Sequence, residues 1–230
     1  MSKPLPPKKA FEASYPRFIF LFAALYAISL FATQFLSYKI VSVGPYVMSA
    51  ATFAVPVWYL IGDIITEIYG YEVTKKLIIG SIIACIFFSI FLEFLIVLPS
   101  PATWTHQKDF DYVVGSIARV ALANAMGSLI GGVVNSFALA KWKLLLKGKY
   151  FAIRSLGSSI IGQIIFIVLA LPIVFWGKVS MTEMLQIMMA SLIIKIIILL
   201  VGVYPTSLVV LILKTIDPNI VKIKNPSLIN

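Results

Sequence analysis

The sequence predicts an all-α integral membrane protein of six transmembrane helices with both termini in the cytoplasm. Three observations lead there. Of its 230 residues, 60% are hydrophobic and only 12% charged, with a mean hydropathy of +1.01, far outside the range of a soluble domain. Apolar runs of about 20 residues, the length that crosses a ~30 Å hydrocarbon core, recur along the chain. The basic residues fall between these runs, and alternate gaps are unequal. One side collects Lys3, Lys8, Lys9 and Arg17, then Lys75 and Lys76, then Lys141, Lys143, Lys147, Lys149 and Arg154, then Lys214, Lys222 and Lys224. The other side has Lys39, Lys108 and Lys178, with Arg119 just inside a helix. Cytoplasmic loops carry the excess of Lys and Arg, and an odd number of crossings scrambles the asymmetry.

Residues 1–17 read as a basic cytoplasmic tail, because the apolar run that follows is too long for a signal-peptide core and no small-x-small cleavage site is clear. Residues 18–213 hold the six helices, and 214–230 form a second cytoplasmic tail. The first helix is expected over Phe18–Ser37, and the second from Val41 or Tyr46 to Tyr69, with Pro45 near its start. Pro56 inside the second helix should kink it or free a backbone carbonyl. The third covers Leu77–Leu98 and stops at Pro99-Ser100-Pro101; a polar loop containing Trp104, His106, Lys108, Asp109 and Asp111 follows. The remaining three are expected over Val113–Ala140, Ser155–Trp176 and Met184–Leu213. GSLIGG (127–132) and GSSIIG (157–162) put small residues on helices 4 and 5, which suits close helix packing or space for a flat ligand.

Ionisable groups inside a bilayer cost several kcal/mol and are suspects for function. Asp63 and Glu67 stand four residues apart at the end of the run 53–71, and so share one stripe of a helix. Lys195 lies about 11 residues inside the sixth helix, roughly 16 Å deep, too far for its stem to reach the interface. Lys195 must therefore find a partner or lose its proton, and the natural partners are Asp63 and Glu67. Glu93 and Arg119 lie close enough to a helix end to snorkel. The amides Gln34, Asn124, Asn135 and Gln163, with Ser158, Ser159, Tyr204 and Thr206, add donors and acceptors, and Trp58, Tyr59 and Tyr69 add aromatic faces. Together they describe a polar, aromatic, carboxylate-lined pocket suited to a planar heteroaromatic with N–H donors. The candidate binding set is Asp63, Glu67, Lys195, Gln163, Asn135, Tyr59, Gln34 and Asn124.

Other classes fit poorly. The formal charge of +10 belongs to inter-helix segments rather than one solvated face, which argues against nucleic acid. A single His106 cannot build a His-rich metal centre or a membrane Ser–His dyad, and Asp63 has no second helical Asp to form a protease pair. No phosphate-binding glycine loop is present, and the lone Cys85 reads as a small core hydrophobe. Neither an enzyme nor a resident cofactor is expected.

At GDIITEIYGY, Gly62 to Tyr71, the chain resembles the queuosine precursor transporter family, also called the vitamin uptake transporter family. The resemblance extends to Phe53 and Pro56, the Arg154-x-x-Gly-Ser run with Gly162-Gln163, and Lys195, Pro205 and Lys214. It implies a six-helix protein of the bacterial inner membrane that imports 7-deazaguanine bases for queuosine, with a fold similar to the substrate-binding components of vitamin importers. The chain departs from the family pattern at Asn135 and Phe166, where acids are usual, and at Gln34, where Asn is usual. The implied partners are a small heteroaromatic base and the lipid bilayer, with a homo-oligomer an open alternative. A substrate-binding subunit that works with a separate ATPase is the rival expectation.

Overall fold

The computed structural model describes residues 18–216; residues 1–17 and 217–230 lie outside the described residues. Helix α1 (Ile19–Leu36) is followed by a hairpin of strands β1 (Ile40–Val43) and β2 (Tyr46–Ser49). Then come α2 (Ala51–Tyr69), α3 (Tyr71–Ile96), α4 (Gln107–Val114), α5 (Ile117–Gly127), a π-helical turn (Ser128–Gly132), α6 (Val133–Leu145), α7 (Phe151–Phe175) and α8 (Met181–Ile216). Six segments are long and apolar enough to span a membrane, the fourth being the whole of Gln107–Leu145.

The second helix is the centre of the bundle: 72% of its apolar window is buried, against 28% in α1, α3 and α8. The exposed side chains of those outer helices, such as Phe20, Phe87, Phe94, Val201 and Leu211, are large and apolar, as a lipid-facing surface requires.

Several boundaries differ from expectation, each for a local reason. Residues 40–49 form a hairpin rather than the start of helix 2, pairing Ile40 with Ser49 and Val43 with Tyr46. Its two-residue loop is Gly44-Pro45; Gly44 at φ +58° supplies the positive φ that a II′-type turn needs first, and Pro45 supplies the second. Helix α3 begins at Tyr71, one residue after α2 ends, because Gly70 turns the chain at φ 92°, ψ 166°, a conformation confined essentially to glycine. The polar stretch after Pro101 is partly helical and includes Asp109 and Asp111, both exposed at the bundle's end, so Asp63 is not the only helical Asp. Helix α7 starts four residues early, at Phe151, and α8 starts at Met181 behind a capping box. There Ser180 N donates to Glu183 Oε2 at 2.8 Å, and Glu183 N donates to Ser180 Oγ at 3.3 Å. Because α8 continues to Ile216, Lys214 is a helix residue.

The glycines of helices 4 and 5 serve packing. A Cβ on Gly131 would stand 2.6 Å from the Gly162 carbonyl oxygen and 2.8 Å from Tyr59 Oη; one on Gly162 would meet Tyr59 Cε1 at 2.6 Å and Gly131 O at 2.8 Å. The backbones of α7 and the π-helical turn thus touch, and the room is taken by Tyr59 rather than left for a ligand.

Candidate functional site

The stripe Tyr59–Asp63–Glu67 on α2 runs down α7 in the opposite direction, like a zip. Tyr59 donates to the Gly162 carbonyl at 2.9 Å. Asp63 accepts from Ser155 at 2.5 Å and Ser159 at 2.9 Å through Oδ2, and from Asn135 Nδ2 on α6 at 2.8 Å through Oδ1. One turn on, Glu67 accepts from Arg154 Nη1 at 3.0 Å and from Lys214 Nζ on α8 at 2.6 Å, with Lys143 Nζ on α6 at 3.6 Å. Lys143 also donates to the Glu67 carbonyl at 2.5 Å. Two acids four residues apart therefore tie α2 to α6, α7 and α8. Both carboxylates are buried, as are Arg154, Ser155, Ser159 and Asn135.

Arg154 does more than balance Glu67. Its Nε donates to Lys149 O at 2.8 Å and Nη2 reaches Gly148 O at 3.4 Å, fastening the α6–α7 loop, where Lys147, Gly148 and Tyr150 all have positive φ. Within the apolar bundle every charge near Glu67 has a counter-charge, which is the arrangement that such burial demands.

Lys195 does not join this network. The Thr52–Ser191 hydroxyl contact at 3.1 Å sets the register of α2 against α8 and places Lys195 level with Pro56, seven residues or about 10 Å of helix short of Asp63. Its Nζ instead lies 4.7 Å above the ring of Phe166. The expected pairing with Asp63 or Glu67 is thus replaced by an aromatic contact: Asp63 is met by neutral donors, and Glu67 is served by residues whose charge reads as topology in the sequence, Lys143, Arg154 and Lys214.

Lys195 lines a cavity that also touches Ser37, Ser49, Thr52, Asn124 and Ser191, with Val55, Phe166, Ala170 and Val174 as apolar wall. Its free volume is about 30 Å³, enough for about two waters. Pro56 lacks an N–H and so leaves the Thr52 carbonyl at this wall without a helical donor. Asn124 is held by a 2.9 Å bond from its Nδ2 to Thr33 Oγ1.

Between this cavity and Asp63 stands an aromatic layer. Trp58 packs on Tyr59 (centroids 4.1 Å apart), on the edge of Tyr26 at 5.7 Å and against Phe166 at 6.0 Å. The layer is rich in unused polarity: both amide atoms of Gln163, the Trp58 indole N–H and the Tyr26 hydroxyl are buried without hydrogen-bond partners among the described residues. Gln34 is buried with no nitrogen or oxygen partner, its amide against the Cys85 thiol.

The expected site residues thus divide. Asp63 and Asn135 meet directly; Glu67 lies one turn further along; Tyr59 and Gln163 belong to the aromatic layer and its surroundings; Lys195 and Asn124 share the cavity; Gln34 stays on α1 beside α3. At the opposite end Arg119 is exposed and donates to the Trp176 carbonyl at 3.1 Å, and Glu93 is exposed. Arg154 and Ser155 are the residues that sequence reasoning undervalued, although Arg154 lies in a quoted motif. No group of three or more His, Cys, Asp or Glu side chains with metal-site geometry occurs among the described residues.

A family profile described as "putative vitamin uptake transporter" matches residues 49–210, from the end of the hairpin to the last turns of α8. No curated protein and no solved structure matches the chain.

Proposed function

The chain belongs to the vitamin uptake transporter family, and on that premise we propose that it imports 7-deazaguanine bases, precursors of the tRNA nucleoside queuosine, across a bacterial inner membrane. The observation that carries the reading is the set of unused polar groups in and around the aromatic layer: Gln163, Trp58 Nε1 and Tyr26 Oη, all buried without hydrogen-bond partners among the described residues. A buried polar atom without a partner costs about 1–3 kcal/mol, so a ligand that satisfies several at once is favoured strongly. A Gln amide offers one acceptor and two donors, which complements the lactam and amine edge of such a base, and Trp58 offers a face to stack on.

In this reading the basic end, with Glu67, faces the cytoplasm. A base requires a pocket of a few hundred Å³, so the ~30 Å³ cavity opens further by separation of the helices around it. Asp63 then exchanges the hydroxyls of Ser155 and Ser159 for ring N–H donors, since a serine hydroxyl can rotate to another acceptor. Glu67, held by Arg154, Lys143 and Lys214, closes the cytoplasmic end and must release part of that clasp for the base to leave. Measuring queuosine in the tRNA of a bacterium without its own importer, expressing this protein and fed each base separately, tests the reading. Restored modification with at least one base is expected; none with any base, at normal membrane levels of protein, refutes it.

A further inference from the structure

Lys195 is 2% exposed and has no carboxylate among the residues lining its cavity. Burying an ammonium in an apolar bundle without a counter-charge is expensive. The rest of the bundle cannot supply one: Asp63 is occupied by three neutral donors, and Glu67 already faces Arg154, Lys214 and Lys143. Lys143, Arg154 and Lys214 already surround the one carboxylate of Glu67, so neither buried acid is left for Lys195.

Beside Lys195 the largely apolar cavity wall carries two hydroxyls that face each other, Thr52 and Ser191. Thr52 and Ser191 share one hydrogen bond at 3.1 Å, which uses one of their two hydroxyl protons and leaves the other for a ligand. The space beside Lys195, about 30 Å³, matches the two waters that two oxygen atoms of a ligand would displace. Phe166 stands between the cavity and Trp58, its ring centroid 4.7 Å from Nζ and 6.0 Å from that of Trp58, so a base seated against the aromatic layer would reach Lys195 with a substituent that passes Phe166.

We propose that the cavity at Lys195, Thr52 and Ser191 receives a carboxylate, so that the preferred substrate is a planar heteroaromatic base carrying an acidic substituent. This rests on the reading of the protein as a base importer. A carboxylate accepts from the ammonium and from a hydroxyl together, in charge-assisted bonds; an aminomethyl group brings a second cation to the same spot.

The test is equilibrium binding to the purified full chain in lipid nanodiscs, with three deazaguanines alike except for a carboxylate, a carboxamide or an aminomethyl group on the five-membered ring. The carboxylate form is expected to bind at least tenfold more tightly than the carboxamide, and the aminomethyl form most weakly. Lys195→Gln should remove the preference for the carboxylate, and Lys195→Arg should keep it, which guards against a Gln variant that fails to fold. Equal affinity for carboxylate and carboxamide, or tighter binding of the aminomethyl form, overturns the proposal. Should none of the three bind, the base reading fails; benzoate against benzamide then decides the carboxylate site by itself, and no preference for benzoate overturns it.

Discussion

Asp63 and Glu67 look alike in the sequence and differ in what surrounds them. Asp63 is met by neutral donors that can be exchanged, and Glu67 by three cations. Replacing each by its amide therefore separates the roles. Asp63→Asn should keep its membrane level and lose uptake, since an amide no longer accepts through both oxygens; normal uptake by this variant removes Asp63 from the binding machinery. Glu67→Gln strands the fully buried Arg154, and breaking such a pair costs about 3–5 kcal/mol. Its thermal unfolding in detergent should drop well below that of the parent, and combining it with Arg154→Gln should recover part of the loss. Two acids in an apolar run are plain in the sequence, but their partners are not. Lys143, Arg154 and Lys214 stand at or near helix ends, where a cation normally reaches for water, and only the register of α6, α7 and α8 against α2 turns them inward.

Among elements, α7 and the π-helical turn bring backbone against backbone, and Gly70 turns the chain from α2 into α3 within one residue. Gly162→Ala and Gly131→Ala each force a methyl group within 3 Å of backbone or of Tyr59. Overpacking of this kind costs about 1–3 kcal/mol, to be read as a lowered unfolding temperature. Gly70→Ala leaves space for the methyl group but not for the backbone at φ 92°, so it should lower membrane levels although no contact is lost. The six spans were legible because length and apolarity suffice to define them. The hairpin was not: its Ile, Val and Tyr residues merge with the apolar run of α2. The signal that separates them is the two-residue Gly44-Pro45 loop between β-branched stretches.

At the scale of the whole molecule, the asymmetry of Lys and Arg predicts that reporter fusions at both ends of the chain read cytoplasmic, and a fusion after Gly44 reads external. A reversed result inverts the direction of transport proposed above. Purified protein in liposomes should accumulate a deazaguanine without an ATPase or any other protein; uptake that appears only with a partner ATPase assigns the chain to the substrate-binding subunits of vitamin importers. The fold class followed from composition, the lengths of the apolar runs and the spacing of Lys and Arg between them. The separation of the ends did not, because it depends on which face of α8 meets α2, and α8 is apolar on every side.

Strands β1 and β2 form a sheet of only two members, so its outer edges carry backbone N–H and C=O groups with no strand to meet them. Lipid-exposed edges of this kind are not found in hydrocarbon, so the hairpin is expected at the level of the lipid headgroups, where it would serve as a ruler for depth. Measured along α2 from Ser49 at its inner end, Thr52 and Ser191 lie within one helical turn of the hairpin, and Lys195 one turn further, roughly 10 Å along. On the proposed orientation, a solute arriving from outside would meet Lys195 before either acid, so that import as proposed would sort charge at the threshold and read shape afterwards, in the aromatic layer beneath.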